Sequence, residues 1–239
     1  RLVAGVPTAY IMGSRGCIRS CDYCCITTLH RVAPGPRFRQ RDPENVVAEL
    51  SDLYHNRGVR QYVFHDDNFL VPSPKENERR LDAYHRAMNA AGMEDIGIVM
   101  KCGPQDLDEA ALQKLVSMGL LRIFLGIESG SQCGLDSIGR KQTTTDTERA
   151  VSLCEKYNVS SQYTMIIFNP DATIESMLQD LAFEHAQADP AGLKVSNPVR
   201  CFGAPEQGHA AGHGLSFGSI EIGCWQHAAD CDALGAEKP

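Results

Sequence analysis

Three cysteines within eight residues, Cys17-Ile18-Arg19-Ser20-Cys21-Asp22-Tyr23-Cys24, are the residues of this chain best equipped for chemistry. They stand at i, i+4 and i+7, just after the apolar, glycine-terminated run Tyr10-Ile11-Met12-Gly13. Three soft ligands leave one coordination position to fill. A structural zinc site normally takes four protein ligands, whereas an iron-sulfur cube can keep one iron open for an exchangeable molecule. The competing reading is a zinc knuckle completed by Cys25 or a distant residue; otherwise Cys25 is a packed thiol.

A loop of this kind needs a frame, and the rest of the chain reads as one. Apolar, strand-forming runs at residues 10–12, 61–65, 96–100, 122–127, 163–168 and 192–195 alternate with amphipathic segments. Asp42-Pro43 and Ser73-Pro74, the latter with Glu76 at the capping-box position, open two helices that end at Gly58 and Gly92. A third helix is expected over 108–118 up to Gly119, a fourth capped by Thr145 and Glu148, and a fifth from Thr173. Residues 31–41, with Arg31, Pro34, Gly35, Pro36, Arg37, Arg39 and Arg41, read as a basic link. Strands without polar alternation, each followed by a helix, are buried parallel strands covered on the outside. Six units predict an α/β fold, a partial (β/α)6 barrel over 1–199, with an irregular C-terminal extension over 200–239 as lid or auxiliary metal segment.

In such a barrel the functional groups come from the C-terminal ends of the strands. Those ends carry the cysteine loop, Asp66-Asp67-Asn68, Lys101-Cys102, Glu128-Ser129, Asn169 and Asn197. Asp66 and Asp67 could instead be strand-end turn residues. Cys102 could face a substrate, and Cys154 lies on an apolar helix stripe.

Composition narrows the classes. The 239 residues are 43% hydrophobic, enough for one sizeable core, and the net charge of −7 argues against general nucleic-acid binding. No apolar run reaches the ~18 residues of a membrane span and no signal peptide is visible, so a cytoplasmic protein without membrane attachment is expected. Ten cysteines would suggest disulfides in a secreted chain of under about 80 residues, but here metal binding is the better reading. The sequence opens at Arg1 without an initiator Met, which leaves two readings: a domain lies upstream of it, or the protein is a reduced form that does different chemistry.

The spacing CxxxCxxC resembles the signature of the radical S-adenosylmethionine (radical SAM) superfamily. Ser14-Arg15-Gly16-Cys17, Phe64-His65-Asp66-Asp67-Asn68-Phe69 and Gly126-Ile127-Glu128-Ser129-Gly130-Ser131 extend the likeness to members with an upstream cobalamin-binding domain. The resemblance implies that Cys17, Cys21 and Cys24 hold a [4Fe-4S] cluster whose fourth iron takes S-adenosylmethionine. Its reductive cleavage would release a 5'-deoxyadenosyl radical that abstracts hydrogen. Methyl transfer, or cyclisation or rearrangement of a small molecule, would follow, with cobalamin as a candidate cofactor. A flavodoxin or ferredoxin is the implied electron donor, and a cobalamin-binding domain absent from this chain an implied partner.

The likeness also assigns cofactor-binding positions. His65-Asp66-Asp67 replaces the usual paired glycines that meet the methionine amino group. Glu128 and Ser129 would contact that group or the ribose hydroxyls. Arg140 or Lys141 would meet the methionine carboxylate, Arg140 for its bidentate fork. Ile167-Phe168-Asn169 would pack or hydrogen-bond against adenine.

In the tail, Cys201, His209, His213, Cys224, His227 and Cys231 could hold a second metal, line a lid or simply pack. The opposing class is an iron-sulfur electron carrier or structural metal-binding protein without S-adenosylmethionine turnover. A carrier would usually surround every iron with protein ligands and has no use for a barrel rim. A remnant that keeps the cluster without turnover is a third reading, suggested by the substituted second-strand glycines.

Overall fold

The computed structural model describes residues 2–3, 5–32 and 34–187. In chain order the elements are strands β1 (Leu2–Val3), β2 (Val6–Ile11) and β3 (Ser14–Gly16), helix α1 (Cys25–Val32), strand β4 (Phe38–Gln40), helix α2 (Pro43–Arg57), strand β5 (Gln61–Phe64), helix α3 (Pro74–Ala90), strand β6 (Gly97–Cys102), helix α4 (Glu109–Ser117), strand β7 (Leu120–Glu128), helices α5 (Gln132–Ser137) and α6 (Thr144–Lys156), strand β8 (Ser160–Met165) and helix α7 (Ile174–Gln187). The main sheet has the order β1-β2-β5-β6-β7-β8. β2, β5, β6, β7 and β8 run parallel, and β1 closes one edge antiparallel to β2. The sheet curls into a partly closed half-barrel flanked by helices, the architecture expected from the alternating runs.

The core explains why these runs form parallel strands. Ile11, Tyr62, Phe64, Ile98, Met100, Ile123, Leu125 and Ile127 on the strands are buried together with Leu50, Leu81, Leu112, Leu115 and Val151 on the helices. Each such side chain contributes about 1.5–3 kcal/mol by leaving water. Tyr62 keeps its buried hydroxyl satisfied by donating to Leu50 O at 3.0 Å. Gly119, at φ +95°, lets α4 turn directly into β7; a Cβ there would stand 2.3 Å from Ile96 O.

Most helix boundaries follow their local chemistry. Ser73 Oγ accepts from Glu76 N at 3.3 Å and Asp108 Oδ1 from Ala111 N at 2.7 Å. Gly58 and Gly92 adopt φ +65° and +62° where α2 and α3 end. The cap of α6 lies two residues earlier than Thr145 and Glu148. Thr143 Oγ1 accepts from Asp146 N at 3.1 Å while the Asp146 carboxylate accepts from Thr143 N at 3.0 Å, a closed capping box that fixes the start.

Two regions depart from the expected elements. β8 begins at Ser160, three residues before the apolar run, because Ser160, Ser161 and Gln162 pair with β7 although they are polar. It ends at Met165, so Phe168 and Asn169 lie in the loop beyond it. Residues 31–41 are more than a link: α1 runs to Val32, and β4 pairs antiparallel with β3. The expected sixth strand at 192–195, Asn197, the boundary at 199/200 and the Cys/His residues from 201 to 231 lie outside the described residues. Among the described residues no helix is long and apolar enough to cross a membrane.

Candidate active site

A cavity of about 240 Å³ opens at the C-terminal ends of the parallel strands. One wall is the cysteine loop, which supplies Cys17, Arg19, Cys21, Tyr23 and Cys24. The loop has little regular structure, so its shape comes from contacts reaching in from other elements. Arg19 forms an ion pair with Asp106, which is buried in the 3-10 turn after β6. Asn68 Nδ2 donates to the same carboxylate at 3.0 Å, and Asn68 Oδ1 accepts from Gly103 N at 2.7 Å. Arg37 Nη2 donates to Arg19 O at 2.7 Å, and Asp22 N to Ile138 O at 3.3 Å.

Each of the three sulfurs faces N–H groups. Cys17 Sγ accepts from Arg19 N at 3.4 Å, Cys24 from the backbone of Ile26 and Thr27, and Cys21 Sγ from Arg140 Nη1 at 3.5 Å. Burial pushes the Cys17 and Cys24 thiols up, and those backbone donors act against it. N–H groups aimed at sulfur suit thiolate ligands. Among the described residues no three His, Cys, Asp or Glu side chains stand close enough to hold a single metal ion. In a multi-iron cluster each thiolate binds a different iron, so its ligands need not converge on one point as they do around a single ion.

The strand ends supply the opposite wall: Asp67, Asn68, Lys101, Cys102, Glu128 and Thr164. The β7 register shifts between Leu125 and Glu128, and Glu128 sits at φ +68°. A bulge re-aims the residue that follows it, and a non-glycine residue held at positive φ stores strain that surrounding contacts must offset. Here the result is a carboxylate on the cavity wall. Tyr23 hydrogen-bonds to it, and burial together with the Glu128 charge raises the Tyr23 phenol above its ordinary range.

Arg140 ties the two walls together. Its Nε donates to Gln142 Oε1 at 3.0 Å, Nη2 to Gly126 O at 2.7 Å, and Nη1 to Cys21 Sγ and to Tyr23 Oη at 3.3 Å. Burial works against its charge, but Tyr23, Glu128 and Cys21 beside it hold its pKa above the usual arginine range. Position 126 has to be glycine for this reach, since a Cβ there would lie 2.6 Å from Arg140 Nη2.

The cavity therefore gathers Cys17, Cys21, Cys24, Asp67, Glu128 and Arg140 from the expected site residues. Asp66, Ser129, Phe168 and Asn169 do not line it. Asp66 is fully buried and accepts from Gly13 N at 2.9 Å and from Ser14 Oγ, tying the strand before the cysteine loop to β5. Ser129 donates to Asp180 Oδ1 at 2.7 Å, pinning α7 to the end of β7. Phe168 is 48% exposed, and Asn169 Oδ1 accepts from Ser137 Oγ at 3.3 Å and Asp171 N at 3.0 Å. Lys141 is exposed, with its carbonyl accepting from Gln105 Nε2. Sequence reasoning missed Tyr23, Arg19 and Asp106. Tyr23 lies inside the cysteine motif, which was a signal; the partnership of Arg19 with a residue 87 positions away left none.

Known proteins resemble this chain in sequence and in fold. The chain is 27% identical over 195 residues to an uncharacterized methyltransferase of Pyrococcus horikoshii, a match covering 81% of this chain and 40% of that protein. It is 26% identical over 176 residues to the anaerobic magnesium-protoporphyrin IX monomethyl ester cyclase of Cereibacter sphaeroides, covering 72% of this chain and 27% of that one. The chain thus spans well under half of the curated relatives it matches. Among solved structures, the radical S-adenosylmethionine methyltransferase TsrM from Kitasatospora setae, with tryptophan and an S-adenosylmethionine analogue bound, superposes with a TM-score of 0.66 at 20% identity. That match covers 82% of this chain and 35% of TsrM. The sequence pattern of the radical SAM superfamily matches residues 11–181, and the chain belongs to that superfamily.

Proposed function

We propose that this chain binds a [4Fe-4S] cluster through Cys17, Cys21 and Cys24 and cleaves S-adenosylmethionine reductively in the cavity beside it. The observation that carries the reading is the convergence of the three thiols on one cavity with Glu128 and Arg140 from the strand-end side. The cluster, when bound, supplies one electron to the sulfonium and so releases a 5'-deoxyadenosyl radical.

The chain's own residues bind, orient and exclude water. The Glu128 carboxylate accepts hydrogen bonds from an ammonium or a vicinal diol. Arg140 has four hydrogen bonds already made, so a bidentate grip on a ligand carboxylate requires it to release Cys21 or Tyr23. Asp67 extends the acidic part of the wall. Methyl transfer or cyclisation of a small molecule is the reaction class, supported by relatives named as a methyltransferase and a cyclase. Cobalamin is the further cofactor, supported by the TsrM structure with cobalamin and a [4Fe-4S] cluster bound, to which this fold is similar.

The test is anaerobic reconstitution with iron and sulfide, then incubation with S-adenosylmethionine and dithionite, with and without cobalamin. 5'-Deoxyadenosine is the expected product, and S-adenosylhomocysteine with methylcobalamin marks the cobalamin branch. Turnover that persists in chains carrying Cys17→Ala, Cys21→Ala or Cys24→Ala would overturn the reading.

A further inference from the structure

The antiparallel pair of β3 and β4, which brackets the cysteine loop and α1, carries a charge arrangement that its own folding does not explain. Arg15 and Arg39 are directly opposed partners across the antiparallel pair, and both are exposed. Like charges facing each other across a ladder destabilise it. Among the described residues neither arginine has an ion-pair partner, whereas Arg41 pairs with Glu49 and Arg19 with Asp106. Arg37 adds a third exposed guanidinium, one nitrogen of which holds Arg19 O in the cysteine loop. This basic group stands in a chain whose net charge is −7.

Its place in the fold is equally specific. β3 ends at Gly16, the residue before Cys17, so the ribbon abuts the loop that carries the thiols. Helix α1, which packs against β3, begins one residue after Cys24 and leaves Leu29 56% and Val32 79% exposed. Arginine beside exposed apolar side chains is the composition of a protein interface. The cavity lining includes none of the three arginines, so they stand outside the candidate active site.

We infer that the two-stranded β3–β4 ribbon, with the adjoining flank of α1, is the docking surface of an acidic one-electron carrier protein. The inference rests on the proposed cluster in the adjacent loop. The carrier is oxidised by one electron and the cluster is reduced by one, with no bond made or broken. Opposite charge on the two surfaces steers the encounter and fixes its orientation.

The test uses the full chain and an acidic flavodoxin as probe, with Arg15→Glu/Arg39→Glu and the milder Arg15→Gln/Arg39→Gln. Melting curves establish that each variant is folded. Binding of labelled flavodoxin is titrated at low and high salt, and cluster reduction is followed by loss of visible absorbance with photoreduced flavodoxin or with dithionite. Wild-type binding is expected to weaken with salt. The charge reversal should weaken binding by about tenfold or more at low salt and slow flavodoxin-driven reduction in parallel, with dithionite reduction unchanged. The neutral variant should fall between. Equal affinity of all three chains overturns the inference and leaves this face to another domain or partner, as does a loss seen equally with dithionite. A chain that assembles no cluster refutes the proposed function instead, and the binding titration still decides the docking surface.

Discussion

The cysteine-loop wall of the cavity and the junction of β7, β8 and α7 on its far side are stabilised in different ways. The loop is held from outside by polar contacts between residues far apart in sequence: Arg19 with Asp106, Arg37 with Arg19 O, Asp22 N with Ile138 O, and Arg140 with Cys21. The junction is held mainly by a strand ladder and buried Leu125, Ile127, Met165 and Ile167, with Asp180 bonding Ser129 and Gly130. α7 still leaves Ile174, Leu178 and Leu181 exposed. The loop brings three cysteines to the cavity wall without a backbone ladder of its own. Its geometry therefore depends on a few individually important polar side chains, whereas the junction spreads its stability over many contacts.

Breaking each side separates site assembly from stability. The largest effect is expected from replacing Cys17, Cys21 or Cys24 by alanine, which should reduce cluster iron and visible absorbance to background while the melting temperature of the metal-free chain changes little. Asp106→Ala should come next. It leaves Arg19 without its buried partner, at a cost of about 3 kcal/mol, and should lower both the denaturant midpoint and the fraction of chains that take up cluster. Asp180→Ala removes the tie between α7 and β7 and should cost about 1–3 kcal/mol. Unlike Asp106→Ala, it should leave cluster uptake intact, as measured by iron content.

Smaller effects sharpen the contrast. Arg140→Met should lower the cluster midpoint potential by about 60 mV, a tenfold change for a one-electron couple, because reduction adds negative charge beside the guanidinium that the variant lacks. A redox titration followed by electron paramagnetic resonance reads this shift. Glu184→Gln should act on the junction alone. Burial raises the Glu184 carboxyl above its ordinary 4.5, Tyr163 partly offsets this, and Asp180 adds to the rise. Below 4.5 the group is protonated in both states and pH has no effect through it. As pH rises above 4.5 the unfolded chain loses the proton first, so stability falls until the folded carboxyl also ionises. The glutamine variant should lose that slope in melting temperature against pH, with an unchanged cluster potential.

Helix starts were legible where one side chain and one backbone N–H settle the matter, as at Ser73 and Asp108. Thr143 shows the limit, because Thr143-x-x-Asp146 and Thr145-x-x-Glu148 are both plausible caps and only the packed chain selects the first. The pairing of β3 with β4 was not legible, since the strands are short and mostly polar and the cysteine loop and α1 lie between them. Asp66 and Asp67 look interchangeable in the sequence. A strand alternates its sides, and the chain just beyond β5 sends Asp66 into the interior under Gly13 and Ser14 and Asp67 to the cavity.

The sequence by itself determined the three thiols and their spacing, the apolar runs that become parallel strands, and the rim at which loops following those strands must meet. These are local properties, set by residue type and short-range periodicity. Only the tertiary structure decided that Arg140 bonds Cys21, that Arg19 reaches Asp106, that a bulge places Glu128 on the cavity wall, and that Arg15 faces Arg39. Each of those depends on strand register and on contacts between distant segments, which a linear pattern does not encode.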